Sequence, residues 1–147
     1  LRLKRLPVEH GEHGGHAGPE LLLEPGMGAL QFFLALQRAC FRAGSFPELA
    51  ITPKAAYEAL VGNEVDYVSL EEVKGLISAS LALIYPPGIG VIVPGERWDE
   101  RAQPMLDYFR AFEESFNRFP GFNYEVQGVF QERVDGRIKF HTYVVRQ

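Results

Sequence analysis

Ile84-Tyr85-Pro86-Pro87-Gly88-Ile89-Gly90-Val91-Ile92-Val93-Pro94-Gly95-Glu96-Arg97-Trp98 joins the stiffest and the loosest backbone positions of the chain to its most apolar strand. Each proline fixes φ near −65° and lacks an N–H, so Tyr85 is held extended and Gly88 is free to take the positive φ that reverses the chain. The β-branched run after this elbow, stopped by Pro94-Gly95, reads as a short strand buried on both faces. The elbow holds Tyr85 and Glu96 at low entropic cost, either as a structural turn or as a ligand-facing loop.

Around it stand 147 residues, 46% hydrophobic and 12% aromatic, the size and apolar content of one domain that needs neither disulfides nor metal to fold. The single Cys40 excludes an intrachain disulfide and, set between Ala39 and Phe41, reads as a small buried hydrophobe. A dispersed net charge of −4 argues against nucleic acid, and no apolar run is long enough to span a membrane. Residue 1 is Leu, which leads us to expect a processed or excised piece of a longer chain.

Residues 1–27, rich in Gly, Pro, His and Glu, read as a connector or loop, and residues 28–147 as the folded domain. The connector carries the chain's one metal-like spacing, His10, His13 and His16, although Gly11, Gly14 and Gly15 oppose a helix that would align them. A core helix is predicted over 28–43, with Leu30, Phe33, Leu34, Cys40 and Phe41 inward and Gly44 as its stop. A second opens at Thr52-Pro53 and ends at Gly62. Residues 65–68 are extended. Ser69-Leu70-Glu71-Glu72 reads as a capping box opening a one- or two-turn helix before Gly75, and residues 77–84 read as extended.

The longest helix follows Trp98-Asp99, with Ala102, Met105, Leu106, Phe109, Phe112 and Phe116 as an apolar stripe and Arg110, Glu113, Glu114 and Arg118 as a wet face. Pro104 either marks its true start or kinks it. Two extended runs, 124–134 and 137–145, meet at Asp135-Gly136, a type I′ hairpin signal. In the second run Ile138, Phe140, Thr142 and Val144 share one face; His141 lies on the other as an exposed or cross-strand residue. The pattern gives an α+β fold: helices packed on small mixed or antiparallel sheets, closed by a C-terminal β-hairpin.

No phosphate-cradling glycine loop, nucleophile elbow or catalytic triad is legible, so no catalytic residue is assigned. Only Glu96, pinned behind Pro94-Gly95, sits where a rigid frame would aim a carboxylate.

Ile77-Ser78-Ala79, Tyr85-Pro86-Pro87-Gly88-Ile89, Pro94-Gly95-Glu96, Phe119-Pro120-Gly121-Phe122, Gln127-Gly128-Val129 and Asp135-Gly136-Arg137 follow one another in this order. Together they resemble the C-terminal domain of the bacterial pyridoxal-phosphate-dependent ornithine/lysine/arginine decarboxylases, from about residue 45 to residue 145. The resemblance implies a domain appended to an aminotransferase-like core, in a cytoplasmic homo-oligomer whose reaction removes the α-carboxylate of a basic amino acid. It implies that pyridoxal phosphate is bound outside this chain, on a Ser-x-His-Lys motif absent here: Lys4, Lys54, Lys74 and Lys139 have no His before them. The implied partner is the cofactor-binding core, and Tyr85, Pro86, Pro87, Gly88 and Glu96 would border the approach to its active site. The tail resembles ornithine decarboxylases slightly more than the others. Two further readings stand beside this one: a free-standing module that binds a decarboxylase, another protein or a polyamine, and a metal-binding protein using the three histidines.

Overall fold

The computed structural model describes residues 29–85, 88–119 and 121–147. The connector with His10, His13 and His16, and Pro86 and Pro87 of the elbow, lie outside the described residues. The fold is α+β, and the described residues form three helices and two small antiparallel sheets: α1 (Ala29–Cys40), α2 (Pro53–Val61), β1 (Val65–Ser69), β2 (Ala82–Tyr85), β3 (Ile89–Ile92), α3 (Gln103–Arg118), β4 (Glu125–Gln127), β5 (Phe130–Val134) and β6 (Arg137–Val145). One sheet runs β1-β6-β5 and the other β3-β2-β4.

The central element is α3, which packs on α1 and on β6. Asp99 begins it: its Oδ1 accepts from the N–H groups of Arg101 and Ala102, a 3-10 turn spans Glu100–Ala102, and Pro104 sits in the first α-helical turn, where its missing N–H costs nothing. The helix therefore starts after an irregular turn. Met105, Leu106, Phe109 and Phe112 are buried as the stripe requires, and Trp98 meets Phe109 edge-on.

In α1 the inward line is Phe32, Leu36 and Cys40. Leu34 and Phe41, expected inside, are exposed, because at 3.6 residues per turn they stand roughly 200° and 140° round from Leu36. The helix also stops at Cys40, short of Gly44. Helix α2 is capped by Thr52 as expected, its hydroxyl accepting from the Ala55 N–H, but it packs through Ala56 and Ala59 while Tyr57 and Val61 face out.

After Ser69 there is a turn and no helix. Leu70 N–H donates to Phe140 O, so sheet pairing carries past Ser69, and the Ser69 hydroxyl donates to Glu72 Oε2 instead of accepting from the backbone. The expected strand over 124–134 is two strands in two sheets, divided at Gly128 (φ 73°). A Cβ there would lie 2.0 Å from Leu81 O, so only glycine lets the chain cross from one sheet to the other. Asp135 (φ 49°) and Gly136 (φ 81°) make the hairpin turn with both central residues left-handed. On β6, Phe140, Thr142 and Val144 are buried, and His141 is a cross-strand residue opposite Phe130 and Ser69.

The wet face of α3 also needs correction. Glu113 Oε2 accepts from Phe140 N–H at 2.6 Å, and Arg110 donates to Leu70 O, so both point at the sheet. Only Glu114 and Arg118 pair at the surface, with Arg137 joining them.

Candidate functional site

The elbow and its strand occupy one edge of the β3-β2-β4 sheet, and β3 is therefore not buried on both faces: Ile89 is 52% exposed. Across the pair, Ala82 faces Ile92 and Leu83 faces Gly90, leaving Val91 as the extra residue of a bulge. This irregularity turns both Val91 and Ile92 into the core, which regular alternation would forbid. At the strand's start Gly88 takes φ 78° and its N–H closes back on Ile84 O. Tyr85, half-exposed, lies against Gly88: a Cβ on the glycine would come 3.1 Å from its ring. Leu81 covers Gly90 in the same way, at 3.0 Å.

Close by, Gln37, Phe41, Ile84, Ile89, Val91 and Tyr108 line a shallow depression between the end of α1 and β3. Burial pushes the Tyr108 hydroxyl up to about 12 and the Cys40 thiol likewise to about 12, the charge of Asp107 adding to the latter. Neither group ionises near neutrality, which fits Cys40 as a packed hydrophobe.

At the other end of β3 the Pro94-Gly95-Glu96 turn is a backbone knot. Gly95 N–H donates to Ser78 O, Ser78 N–H to Glu96 O, and the N–H groups of Ala50 and Ile51 both donate to Gly95 O. Gly95 has φ 92°, and a Cβ would sit 2.3 Å from Ile51 O. Glu96 spends its carboxylate on its own turn, Oε2 accepting from Val93 N–H at 2.8 Å. Its pKa is raised, chiefly by burial; the Val93 bond opposes the shift and the Asp99 charge adds to it. Gly88 and Glu96 therefore stand beyond opposite ends of β3, a four-residue strand about 13 Å long. The elbow gathers Tyr85 and Gly88; it does not gather Glu96 with them.

Around the knot are residues that sequence reasoning passed over. Arg97 reaches Gly75 O at 2.9 Å and Glu48 Oε2 at 3.3 Å, and Asp99 Oδ2 accepts from Glu48 N–H. Fully buried Ser78 and Trp98 complete it. Trp98 and Asp99 were legible only as the opening of a helix, since Leu76 and Gly75, bonded to the Trp98 backbone, and Glu48, bonded to Asp99, are distant in sequence.

Lys54 pairs with Glu58, Lys74 with Glu100, and Lys139 with Glu71, each at the surface. No described helix is long and apolar enough to cross a membrane.

Residues 34–146 match the family model for the Orn/Lys/Arg decarboxylase C-terminal domain. The inducible ornithine decarboxylase of Escherichia coli is 42% identical over 111 residues, covering 76% of this chain and 15% of that protein. Lysine decarboxylase LdcA of Pseudomonas aeruginosa is 43% identical over 93 residues, 62% of this chain and 12% of that protein. In three dimensions the chain resembles the E. coli constitutive lysine decarboxylase (TM-score 0.66, 25% identity, 78% of this chain and 15% of that one) and the Francisella novicida lysine decarboxylase LdcF (TM-score 0.64, 32% identity, 76% and 15%). The chain thus spans about 15% of the length of the relatives it matches most extensively.

Proposed function

The chain belongs to the Orn/Lys/Arg decarboxylase family through its C-terminal domain, and from that premise we propose that it serves as the C-terminal part of a pyridoxal-phosphate-dependent decarboxylase of ornithine, lysine or arginine, covering the catalytic core and shaping the approach to its active site. Residues 28–147 form that part and residues 1–27 the connector. The cofactor sits outside this chain, on the catalytic core, as the family resemblance implies. The whole enzyme is a cytoplasmic homo-oligomer, as the family resemblance implies.

The observation that carries this reading is the apolar surface around the elbow. Ile89 and Phe41, which line one depression, are 52% and 41% exposed, and Leu81 and Tyr85, on the other face of the strand pair, are 45% and 51% exposed, in a chain that is a small fraction of its relatives. Large apolar side chains grouped this way mark a surface meant to be covered. In this reading Tyr85 to Gly88 border the approach directly, while Glu96 braces the far end of β3 and acts by positioning.

A chimera tests it: residues 34–146 replace the matching segment of the E. coli inducible ornithine decarboxylase, and ornithine-dependent CO2 release and pyridoxal absorbance are measured. The chimera is expected to keep both, with Tyr85→Asp and Ile89→Asp each lowering kcat/KM by roughly tenfold or more through misplacement of the approach. Folded, coloured variants of unchanged kcat/KM would overturn the assignment of this face.

A further inference from the structure

The outer face of the β1-β6-β5 sheet carries a group that the decarboxylase reading leaves unused. His141 Nδ1 is buried with no hydrogen-bond partner, and the imidazole stacks on Tyr67 with ring centroids 5.1 Å apart and planes 16° apart. Glu132 Oε2 stands 3.9 Å from that nitrogen, too far for a hydrogen bond. The register explains the approach. His141 is paired with Phe130, which makes Glu132 its diagonal neighbour across the hairpin, while Lys139, paired directly with Glu132, gives its ammonium to Glu71.

We propose that His141, Glu132 and Tyr67 form a proton-operated clasp that fastens the edge strand β5 to β6 when the imidazole carries its second proton. An imidazole that gains its second proton becomes a donor at both nitrogens, so the orphaned Nδ1 acquires an ion-pair partner in Glu132. Tyr67 completes the clasp. Its ring stacks on the imidazole, and burial, followed by the Glu132 charge, pushes its hydroxyl up to about 12, so it stays protonated throughout. The other titratable groups facing the imidazole are Tyr143 and Lys139 on β6 and Glu72 and Glu71 on the turn after β1. Of these Glu72 interacts electrostatically with His141, while its carboxylate is bonded to Ser69 N–H and Oγ. Strand β5 is where a clasp has leverage, since every one of its residues is exposed and, among the described residues, no strand pairs with its outer edge.

The test is amide hydrogen exchange of the 147-residue chain at pH 5.5 and pH 8, corrected for intrinsic rates. Protection of the β5 amides should be roughly three- to fivefold higher at pH 5.5, the scale of one partly exposed ion pair. Glu132→Gln, at a half-exposed position that the fold tolerates, should remove this difference, and His141→Gln should do the same. Glu72→Gln should keep it. A wild-type chain with no pH difference in β5, a difference that survives Glu132→Gln, or one abolished by Glu72→Gln instead would each overturn the proposal.

Discussion

Two regions solve the same problem differently: the knot at Pro94-Gly95-Glu96 and the seam between α3 and β6. Each places a partly buried glutamate on one backbone N–H, Glu96 on Val93 and Glu113 on Phe140. The knot is made of backbone. Its glutamate reaches back three residues, and the surrounding bonds tie together main-chain groups of 48–51, 75–78 and 93–98. The seam is made of side chains. There β1 pairs with residues 141–145 of β6 and beyond them gives only the Leu70 N–H to Phe140 O, so the Phe140 N–H and both backbone groups of Ile138 need other partners. Helix α3 fills the gap with two side chains one turn apart: Asn117 accepts from Ile138 N–H and donates to Ile138 O, and Glu113 accepts from Phe140 N–H. Side chains here stand in for a missing strand.

The contrast is broken most severely at the knot's glycine. Gly95→Ala adds a Cβ 2.3 Å from a carbonyl oxygen at a φ of 92°, and backbone, unlike a flexible side chain, has nowhere to give. A loss of about 4 kcal/mol or more is expected in urea unfolding, enough to unfold a marginal domain. Gly44→Ala, at φ 91° but with nothing within 4 Å, carries only the backbone strain and should cost about 1–2 kcal/mol. Equal losses at the two glycines would mean that the knot's close approach is not what holds this edge.

The seam sits one step lower in effect. Asn117→Ala removes a donor and an acceptor from Ile138 at once, and about 2 kcal/mol should be lost, the cost of leaving partly buried backbone groups unpaired. Asn117→Asp keeps the acceptor for Ile138 N–H and loses the donor, so it should fall between wild type and alanine in thermal unfolding. An aspartate as damaging as alanine would show that the bond to Ile138 O is the one that matters.

These regions also differ in what the sequence discloses. Pro94-Gly95 and Asp135-Gly136 announce themselves, because positive φ and a missing N–H are properties of the residues themselves. The stripe on α3 is legible for a similar reason, as its period is the helix's own. The seam is not legible. Glu113 and Glu114 are adjacent and chemically identical, yet one faces Phe140 and the other pairs with Arg118 and Arg137. Which is which depends on where β6 lies, a fact about tertiary packing that helical periodicity does not carry. For the same reason Leu34 and Phe41 read as core: α1 packs on α3 along a narrow line, and the sequence does not mark its width. Of the candidate site, Tyr85 and Gly88 come together because an elbow forces neighbours together. Glu96 seemed to belong with them only because it is near in sequence, whereas an extended strand holds its two ends apart.

The smallest effect is the one that compares the two glutamates directly. Both have raised pKa values, burial being the leading cause for each, so the folded chain holds these protons more tightly than the unfolded chain does. Linkage then sets the sign: this contribution to stability is complete below the ordinary value of 4.5 and is lost as pH rises through the folded value. Glutamine keeps an oxygen for the backbone N–H and carries no charge to desolvate. Glu96→Gln and Glu113→Gln should therefore gain stability relative to wild type as pH is raised from 4 to 7, followed by thermal unfolding at each pH. Their effects should add in the double variant, since the two carboxylates bond different backbone groups on separate elements. A relative stability that falls with pH at Glu113 alone would mean that the interaction of its carboxylate with Lys139 and Arg110 outweighs burial, and that the seam is held by charge where the knot is held by geometry.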